Sequence, residues 1–354
     1  MRERFHKIAI CAILFLLFAG AIATAASNNK KQETDTVQVK EFQPLTDIKE
    51  GRPDVYVIVK SMTSSYWKVL LEGAKQAGID EDCNIYATGS TLETEWKVQQ
   101  EEIELALEQG ADAIILGPDS SVKLSSEVEK VHNKGIPIII VDTIVNTDKY
   151  DVCYMTDNLL AGENAAKEML RMLKEKGRLE NEDVKVAVQL GARESQTINE
   201  RLAGFCQYWT KFAPKNWKII DEILCNDGDE ELAVEMSDDF FKRYPDIDGV
   251  FGTDNASSMG FSSAIMKINN KDVVMVGFDY SPEVAQIVEN GEYNVSIMLQ
   301  KQYDMGYNSV DSAVSILNGQ HIELKFVDTG VAVLNKDTFE SDEIQQIIKR
   351  NRGK

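Results

Sequence analysis

Short apolar segments alternate with helical patterns along most of this chain, from residue 54 onward. The apolar segments are continuous in valine and isoleucine, which is typical of strands covered on both faces. The intervening segments place apolar residues on one helical face, and several end in glycine. Strands and helices that alternate in this way predict a parallel sheet with helices on both faces. The predicted strands are 54–61, 84–90, 112–118, 136–143, 151–157, 184–191, 217–224, 247–254 and 273–279, and the stretches 293–299 and 324–334 lie near the end of the chain.

The alternation occurs twice, and each copy reaches a buried strand that ends in aspartate. These residues are Asp142 in the first copy and Asp279 in the second. Ligands of open α/β sheets bind beyond the carboxyl ends of the strands, so two facing sheets would bring both acids to one cleft. The alternative is that each aspartate only caps the helix that follows it. We therefore predict an α/β protein with two doubly wound parallel-sheet lobes.

The length and composition indicate a globular protein. The chain has 354 residues, of which 43% are hydrophobic and 27% charged, enough for one large domain or two ordinary ones. Its formal net charge is −20, which argues against nucleic acid and anionic membrane surfaces as partners.

The first residues form a targeting or anchoring segment. A basic start is followed by an uncharged apolar run at 8–26 and by small residues at its end. This pattern predicts a signal peptide or membrane anchor over 1–26, which would be the only contact with the membrane. The polar segment 27–53 predicts a flexible linker. The remainder would be exported, to the periplasm or the outer face of the cell membrane.

The cysteines and histidines indicate neither a metal site nor a disulfide framework. The three histidines are far apart, and the four cysteines after the leader lack zinc-like spacing. We expect buried thiols, although one disulfide bridge among the four stays open. The sequence also lacks the phosphate-binding, dinucleotide-binding and serine-hydrolase motifs, so we predict no cofactor, no metal and no enzyme activity. The catalytic alternative is a glycosidase with paired carboxylates. The four cysteines are Cys83, Cys153, Cys206 and Cys225.

Several stretches in order resemble the type I periplasmic binding proteins of the ribose and galactose kind, which deliver sugars to ABC transporters. The resemblance covers roughly residues 54–340. It implies two Rossmann-like lobes joined by a three-segment hinge that close on one sugar. The implied N-terminal lobe is 54–156 plus 301–328, and the implied C-terminal lobe is 157–300 plus 329–345. The stretches are VIVKSMTSSYWKVLLEGAKQAG, AIILGPDS, PIIIVDT, MTDNLLAG, NERLAGF, FGTDNASSMG, MVGFDYSPE and VDTGV.

The resemblance also implies which residues bind the sugar. Aromatic rings cover the apolar faces of a sugar, while carboxylates and arginine hydrogen-bond its hydroxyl groups. Plain alternatives are a solvated helix face for Arg201, core packing for Trp67 and a turn residue for Ser64. The implied ligand-binding residues are Ser64, Tyr66, Trp67, Asp142, Thr143, Arg201, Asp254, Asp279 and Gln300.

Three of these positions depart from the ribose-type pattern. Thr143 replaces an arginine, and Ser64 and Asp254 each replace an asparagine, so ribose itself is not favoured. The excess of acids suits a neutral polyol or a sugar that carries an amine.

The function implied by the resemblance is that of an extracytoplasmic solute-binding protein. A monomer would capture a monosaccharide or related polyol between its lobes and deliver it to the permease of an ABC importer. In the alternative, an anchored form would present its ligand-bound state to a sensor kinase or chemoreceptor. The sequence leaves the identity of the sugar open.

Overall fold

The computed structural model of the chain describes residues 41–90, 95–193 and 195–352. The strands within these ranges are β1 (Gln43–Pro44), β2 (Asp54–Val59), β3 (Asn84–Gly89), β4 (Ala113–Leu116), β5 (Ile138–Val141), β6 (Val152–Met155), β7 (Val184–Leu190), β8 (Trp217–Cys225), β9 (Gly249–Gly252), β10 (Val274–Phe278), β11 (Asn294–Gln300), β12 (Phe326–Asp328) and β13 (Val331–Leu334). The helices are α1 (Ser65–Asp80), α2 (Trp96–Glu108), α3 (Ser125–Asn133), α4 (Asn158–Glu175), α5 (Gln196–Phe212), α6 (Glu230–Arg243), α7 (Asn255–Ile268), α8 (Pro282–Glu289), α9 (Gln302–Leu317) and α10 (Asp342–Asn351).

The strands form two sheets with the same internal order. The first sheet runs β1-β3-β2-β4-β5-β6-β12 and the second runs β13-β11-β10-β9-β7-β8. Counted within each lobe, the five central parallel strands lie in the order second, first, third, fourth, fifth, which is a doubly wound arrangement. The predicted duplication of one α/β unit is therefore confirmed.

Both faces of each sheet are covered by apolar side chains. Val57 and Ile58 are neighbours on β2, yet they pack into separate apolar clusters on opposite faces of the first sheet. Phe251 and Val250 on β9 divide in the same way in the second lobe. This double coverage explains why the strands are continuous in valine and isoleucine instead of alternating with polar residues.

The chain passes between the lobes three times. It leaves the first sheet after β6 and the second after β11, and it passes back between β12 and β13. Two hydrogen bonds connect the first and third of these crossings: the amide of Asp157 donates to Asp328 Oδ1 at 2.8 Å, and that of Thr329 donates to the Met155 carbonyl at 3.0 Å. The three crossings form the hinge.

Each lobe contains a helix pair in which glycines allow the backbones to meet. In the second lobe a Cβ at Gly162 on α4 would overlap the carbonyl oxygen of Arg201 on α5. In the first lobe a Cβ at Gly73 on α1 would overlap the carbonyl oxygen of Tyr303 on α9 in the same way. The second lobe's pair fixes the position of Arg201, one of the predicted site residues.

The start of the described chain differs from the sequence-based prediction. Residues 41–53 were expected to belong to a flexible linker, but β1 pairs antiparallel with β3, and the ring of Phe42 packs edge-on against Tyr56 at 4.7 Å. This part of the segment is therefore attached to the first lobe. The predicted leader 1–26 and residues 27–40 lie outside the described residues. Within the described ranges, no helix combines the length and the apolar character that a membrane span requires.

The end of the chain also differs, because no helix was predicted after residue 334. Helix α10 begins after Ser341, whose hydroxyl caps it by accepting from the amide of Ile344. Its buried face consists of Ile344, Ile347 and Ile348, which belong to an apolar cluster of the second lobe.

Candidate functional site

Asp142 and Asp279 occupy equivalent positions in the two lobes. Each follows the fourth parallel strand of its lobe, and each backbone amide donates to a carbonyl of the next strand, Tyr154 at 2.9 Å and Met298 at 3.0 Å. Both have a left-handed backbone, with φ of 66° and 67°. Such a conformation is uncommon for a residue other than glycine, and it persists where the surrounding structure enforces it, often at functional sites.

Neither of these acids caps a helix, so the capping alternative does not hold for them. Ser281 caps α8, the helix that follows Asp279. The next helix described after Asp142 is α4, and Asp157 caps it. The two carboxylates are therefore available for other contacts.

Asp142 lies in a polar cluster of the first lobe. Its Oδ1 accepts from the hydroxyl of Tyr66 at 2.6 Å, and its Oδ2 accepts from Lys60 Nζ at 2.9 Å and from the hydroxyl of Thr143 at 2.7 Å. Lys60 also donates to the Thr143 hydroxyl at 2.7 Å. Burial by itself would raise the pKa of Asp142, but the charge of Lys60 and these hydrogen bonds outweigh it and hold the pKa below its usual value. Asp142 is therefore ionised at neutral pH.

Lys60 was not among the residues predicted from sequence. It directly follows the buried strand β2, at the same sheet edge as Asp142, and the side chains of the pair are only 12% and 11% exposed. A charged residue at the end of an apolar strand was the available signal, since the carboxyl ends of parallel strands meet at one edge.

Arg201 is buried in the second lobe, so the alternative of a solvated helix face is wrong. Its Nε donates to Asn158 Oδ1 at 2.9 Å, and its Nη1 donates to the Thr253 carbonyl at 2.8 Å. The guanidinium lies over the ring of Phe278 at 4.2 Å, and Nη1 is 3.8 Å from Asp279 Oδ2. Arg201 is thus oriented by several elements of its lobe.

Asp279 is held by two polar neighbours. Its Oδ1 accepts from the side-chain amide of Gln300 at 2.8 Å, and its Oδ2 faces Arg201. Burial raises the pKa of Asp279 to about 6, although Arg201 and Gln300 act in the opposite direction. Unlike Asp142, this carboxyl titrates within the range that exported proteins encounter.

Contacts across the hinge join the two acids into one site. The Tyr66 hydroxyl, which bonds Asp142, lies 3.5 Å from Gln300 Oε1, and the Gln300 amide nitrogen bonds Asp279. Farther out, the hydroxyl of Ser121 in the first lobe donates to Gln196 Oε1 in the second at 3.1 Å. The lobes are therefore in contact both at the site and away from it.

Trp67 is placed in the core of the first lobe. It is 1% exposed and packs so closely against Gly117 that a Cβ there would lie 2.8 Å from the indole. Two site residues lie beside it: Lys60 Nζ is 5.6 Å from the centre of the ring, and the Tyr66 ring packs edge-on against it at 5.2 Å. Its predicted role as a ring that faces the sugar stays a prediction.

Ser64 and Asp254 each lie at the N-terminus of a helix. Ser64 is half-buried in front of α1 and makes no capping hydrogen bond to it. Asp254 caps α7 by accepting from the amide of Ser257 at 3.1 Å, and burial raises its pKa. A Cβ at Gly191 would overlap Asp254 Oδ2, which therefore lies against this glycine.

The cysteines and possible metal ligands add no further site. The described cysteines are free thiols, so no bridge joins Cys83, Cys153, Cys206 and Cys225. Among residues 41–90, 95–193 and 195–352, no group of histidine, cysteine and acidic side chains is arranged to hold a metal ion.

The fold is that of a two-lobed binding protein, and comparison with known families agrees. A family model described as a periplasmic binding protein domain matches residues 55–321, which is more than half of the chain. The chain belongs to this family. It acts outside the cytoplasm, and the predictions of fold, of family and of a binding protein instead of an enzyme are confirmed.

Relatives and solved structures share this architecture. The ribose import binding protein of Bacillus subtilis is 23% identical over 225 residues, which cover 64% of this chain and 69% of that protein. A solute-binding protein from Agrobacterium radiobacter in complex with D-arabinose has a TM-score of 0.77 and 25% identity, covering 85% of this chain and 100% of that one. A solute-binding protein from Agrobacterium vitis with bound D-fucose has a TM-score of 0.74 and 27% identity, covering 82% and 98%.

Proposed function

We propose that this protein captures a monosaccharide or a related polyol between its two lobes and delivers it to an ABC importer. One observation carries the proposal: Asp142 and Asp279, from equivalent strand ends of different lobes, are joined through Tyr66 and Gln300 into a single polar site. A ligand between the sheets would meet a carboxylate from each side.

The chemistry of the site suits a ligand rich in hydroxyl groups. Carboxylates accept hydrogen bonds from hydroxyls, while Lys60 and Arg201 donate to them, and such charge-assisted bonds contribute about 1.5–3 kcal/mol each. Tyr66 offers an apolar ring beside these groups. Two cations lie among three acids, Asp142, Asp254 and Asp279, so the balance favours a neutral ligand over an anionic sugar acid.

Capture would proceed by closure of the lobes. A ligand that contacts both lobes stabilises the closed arrangement by its differential affinity for that state. The closed, loaded protein would then be recognised by the permease of the importer. We propose that it acts as a monomer in the periplasm or at the outer face of the cell membrane. The relatives include binding proteins for ribose, D-apiose and xylitol, which supports sugars and polyols as candidates.

A thermal-shift screen tests the proposal. The protein is heated with D-ribose, D-arabinose, D-fucose, D-apiose, D-allose and xylitol in separate samples. Ligand at 100 times its dissociation constant adds about 2.7 kcal/mol of stability. For a protein of this size that corresponds to a rise in Tm of about 4 °C.

Two variants make the screen specific to the site. Asp279→Ala should abolish the shift with the best sugar while the circular dichroism spectrum stays native. Asp272→Ala is the matched control, because the Asp272 side chain is 92% exposed and lies at the other end of β10. It should keep the full shift. No shift with any carbohydrate, or an unchanged shift in Asp279→Ala, would refute the proposal.

A further inference from the structure

A closed ring of polar contacts connects Arg201 and Asp279 through the hinge. Arg201 Nε donates to Asn158 Oδ1 at 2.9 Å, and Asn158 Nδ2 donates to the carbonyl of Thr156 at 2.9 Å. The Thr156 hydroxyl donates to Gln300 Oε1 at 3.0 Å, and Gln300 Nε2 donates to Asp279 Oδ1 at 2.8 Å. The ion pair between Asp279 and Arg201, at 3.8 Å, completes the ring.

In the ring, Arg201 and Asp279 are each hydrogen-bonded to one side-chain amide from the hinge. Asn158 follows the first crossing and holds Arg201, while Gln300 begins the second crossing and holds Asp279. Thr156 joins the two amides, one through its carbonyl and the other through its hydroxyl. Arg201 and Asp279 are thereby tied to the segments about which the lobes move.

Because these contacts are buried, the loss of any one of them should have a large effect on the geometry of the ring. Thr156 and Asn158 are each 1% exposed, so water has little access to replace a lost partner. A conformation that leaves a buried donor without an acceptor is destabilised, because the donor has lost its hydrogen bonds to water. Polar networks of this kind hold a single geometry when every member is satisfied.

We propose that Asn158 and Thr156 are positioning residues for ligand binding. They act through Arg201 and Gln300. They fix the positions of the Arg201 guanidinium and the Asp279 carboxylate relative to the hinge. The proposal rests on the proposed function of sugar capture. It assigns a role in binding to two residues that are not among the predicted ligand-binding residues.

The test is titration calorimetry on the full chain with the six ligands of the thermal-shift screen: D-ribose, D-arabinose, D-fucose, D-apiose, D-allose and xylitol. Asn158→Ala removes the acceptor of Arg201 and should weaken the tightest of these sugars at least tenfold. Thr156→Val keeps the size and the carbonyl but loses the hydroxyl, and it should weaken binding severalfold. Asn84→Ala is the control: Asn84 is an equally buried asparagine whose amide bonds Lys49 and Asp54 at the opposite end of the first sheet. It should bind within twofold of wild type.

A double-mutant cycle separates positioning from general destabilisation. If Asn158 acts by orienting Arg201, then Asn158→Ala combined with Arg201→Lys should lose much less affinity than the product of the two single losses. Asn84→Ala combined with Arg201→Lys should give the simple product. If Asn158→Ala does not fold, Thr156→Val takes its place in the same cycle.

The outcomes distinguish this proposal from the function on which it rests. If wild type binds none of the six ligands, sugar capture fails and the positioning role falls with it. If wild type binds, three results would overturn the positioning role alone: affinities of both hinge variants within twofold of wild type, losses no larger than that of Asn84→Ala, or losses that multiply with Arg201→Lys.

Discussion

The substitution Lys60→Met removes the cation that compensates Asp142 while keeping most of the volume of the side chain. The two groups are 2.9 Å apart and largely buried. Removal of one partner from a buried ion pair costs about 3–5 kcal/mol, because the other charge is left without compensation. Asp142 retains its bonds from Tyr66 and Thr143, so we expect the lower end, about 3 kcal/mol. For a protein of this size the loss corresponds to a fall in Tm of about 4–5 °C.

Thermal unfolding at several pH values checks the physical cause. In wild type the pKa of Asp142 lies below its usual value, so its contribution to stability is present at neutral pH and is lost only in strong acid. Without Lys60, burial raises this pKa. The deficit of Lys60→Met should therefore be largest at neutral pH and should shrink as the pH falls through the raised value.

A second substitution provides the internal control. In Lys60→Met combined with Asp142→Asn, neither charge of this buried ion pair is left. Most of the lost stability should therefore return at pH 7. An unchanged Tm for Lys60→Met at pH 7, or a double variant no more stable than the single one, would refute the electrostatic reasoning.

Four other predictions concern packing and titration. Gly162→Ala should lower both Tm and sugar affinity, because the new methyl overlaps the Arg201 carbonyl; unchanged values would show that the helices separate freely. Sugar affinity should fall as the pH drops below about 6, since protonated Asp279 loses an acceptor, and Asp279→Asn should abolish this dependence; titration at pH 5 to 8 decides. In sugar-free protein the same group's contribution to stability should decrease as the pH rises from about 4 to about 6. Ile348→Ala should lower the free energy of unfolding, measured by chemical denaturation, by about 2–4 kcal/mol, whereas Lys349→Ala on the exposed face should lower it by less than about 0.5 kcal/mol. Equal losses would contradict the packing of α10 against the core.

Much of the fold is predictable from the sequence, because the strands are buried on both faces. The continuous Val and Ile segments locate each parallel strand, and their repetition reveals the two lobes. The strand-end acids follow from the same logic, since the carboxyl ends of parallel strands meet at one edge. Helix α10 was missed although its signals were present: Ser341 is a cap residue, and Ile344, Ile347 and Ile348 lie at helical spacing.

The contacts within the site could not be predicted from the sequence. Tyr66 and Gln300 meet although 234 positions separate them, and their meeting depends on the relative placement of the lobes. The left-handed backbone of Asp142 and Asp279 is likewise imposed by tertiary structure. Trp67 shows the opposite case: its place on the apolar stripe of α1 already indicated the core position that the structure gives it.

The most direct measurement is a crystal structure of the protein with the sugar that gives the largest thermal shift. The account predicts density for one sugar between the two sheets, with hydroxyl groups within hydrogen-bonding distance of Asp142 from one lobe and Asp279 from the other. A sugar bound elsewhere, or held by one lobe without either acid, would contradict it.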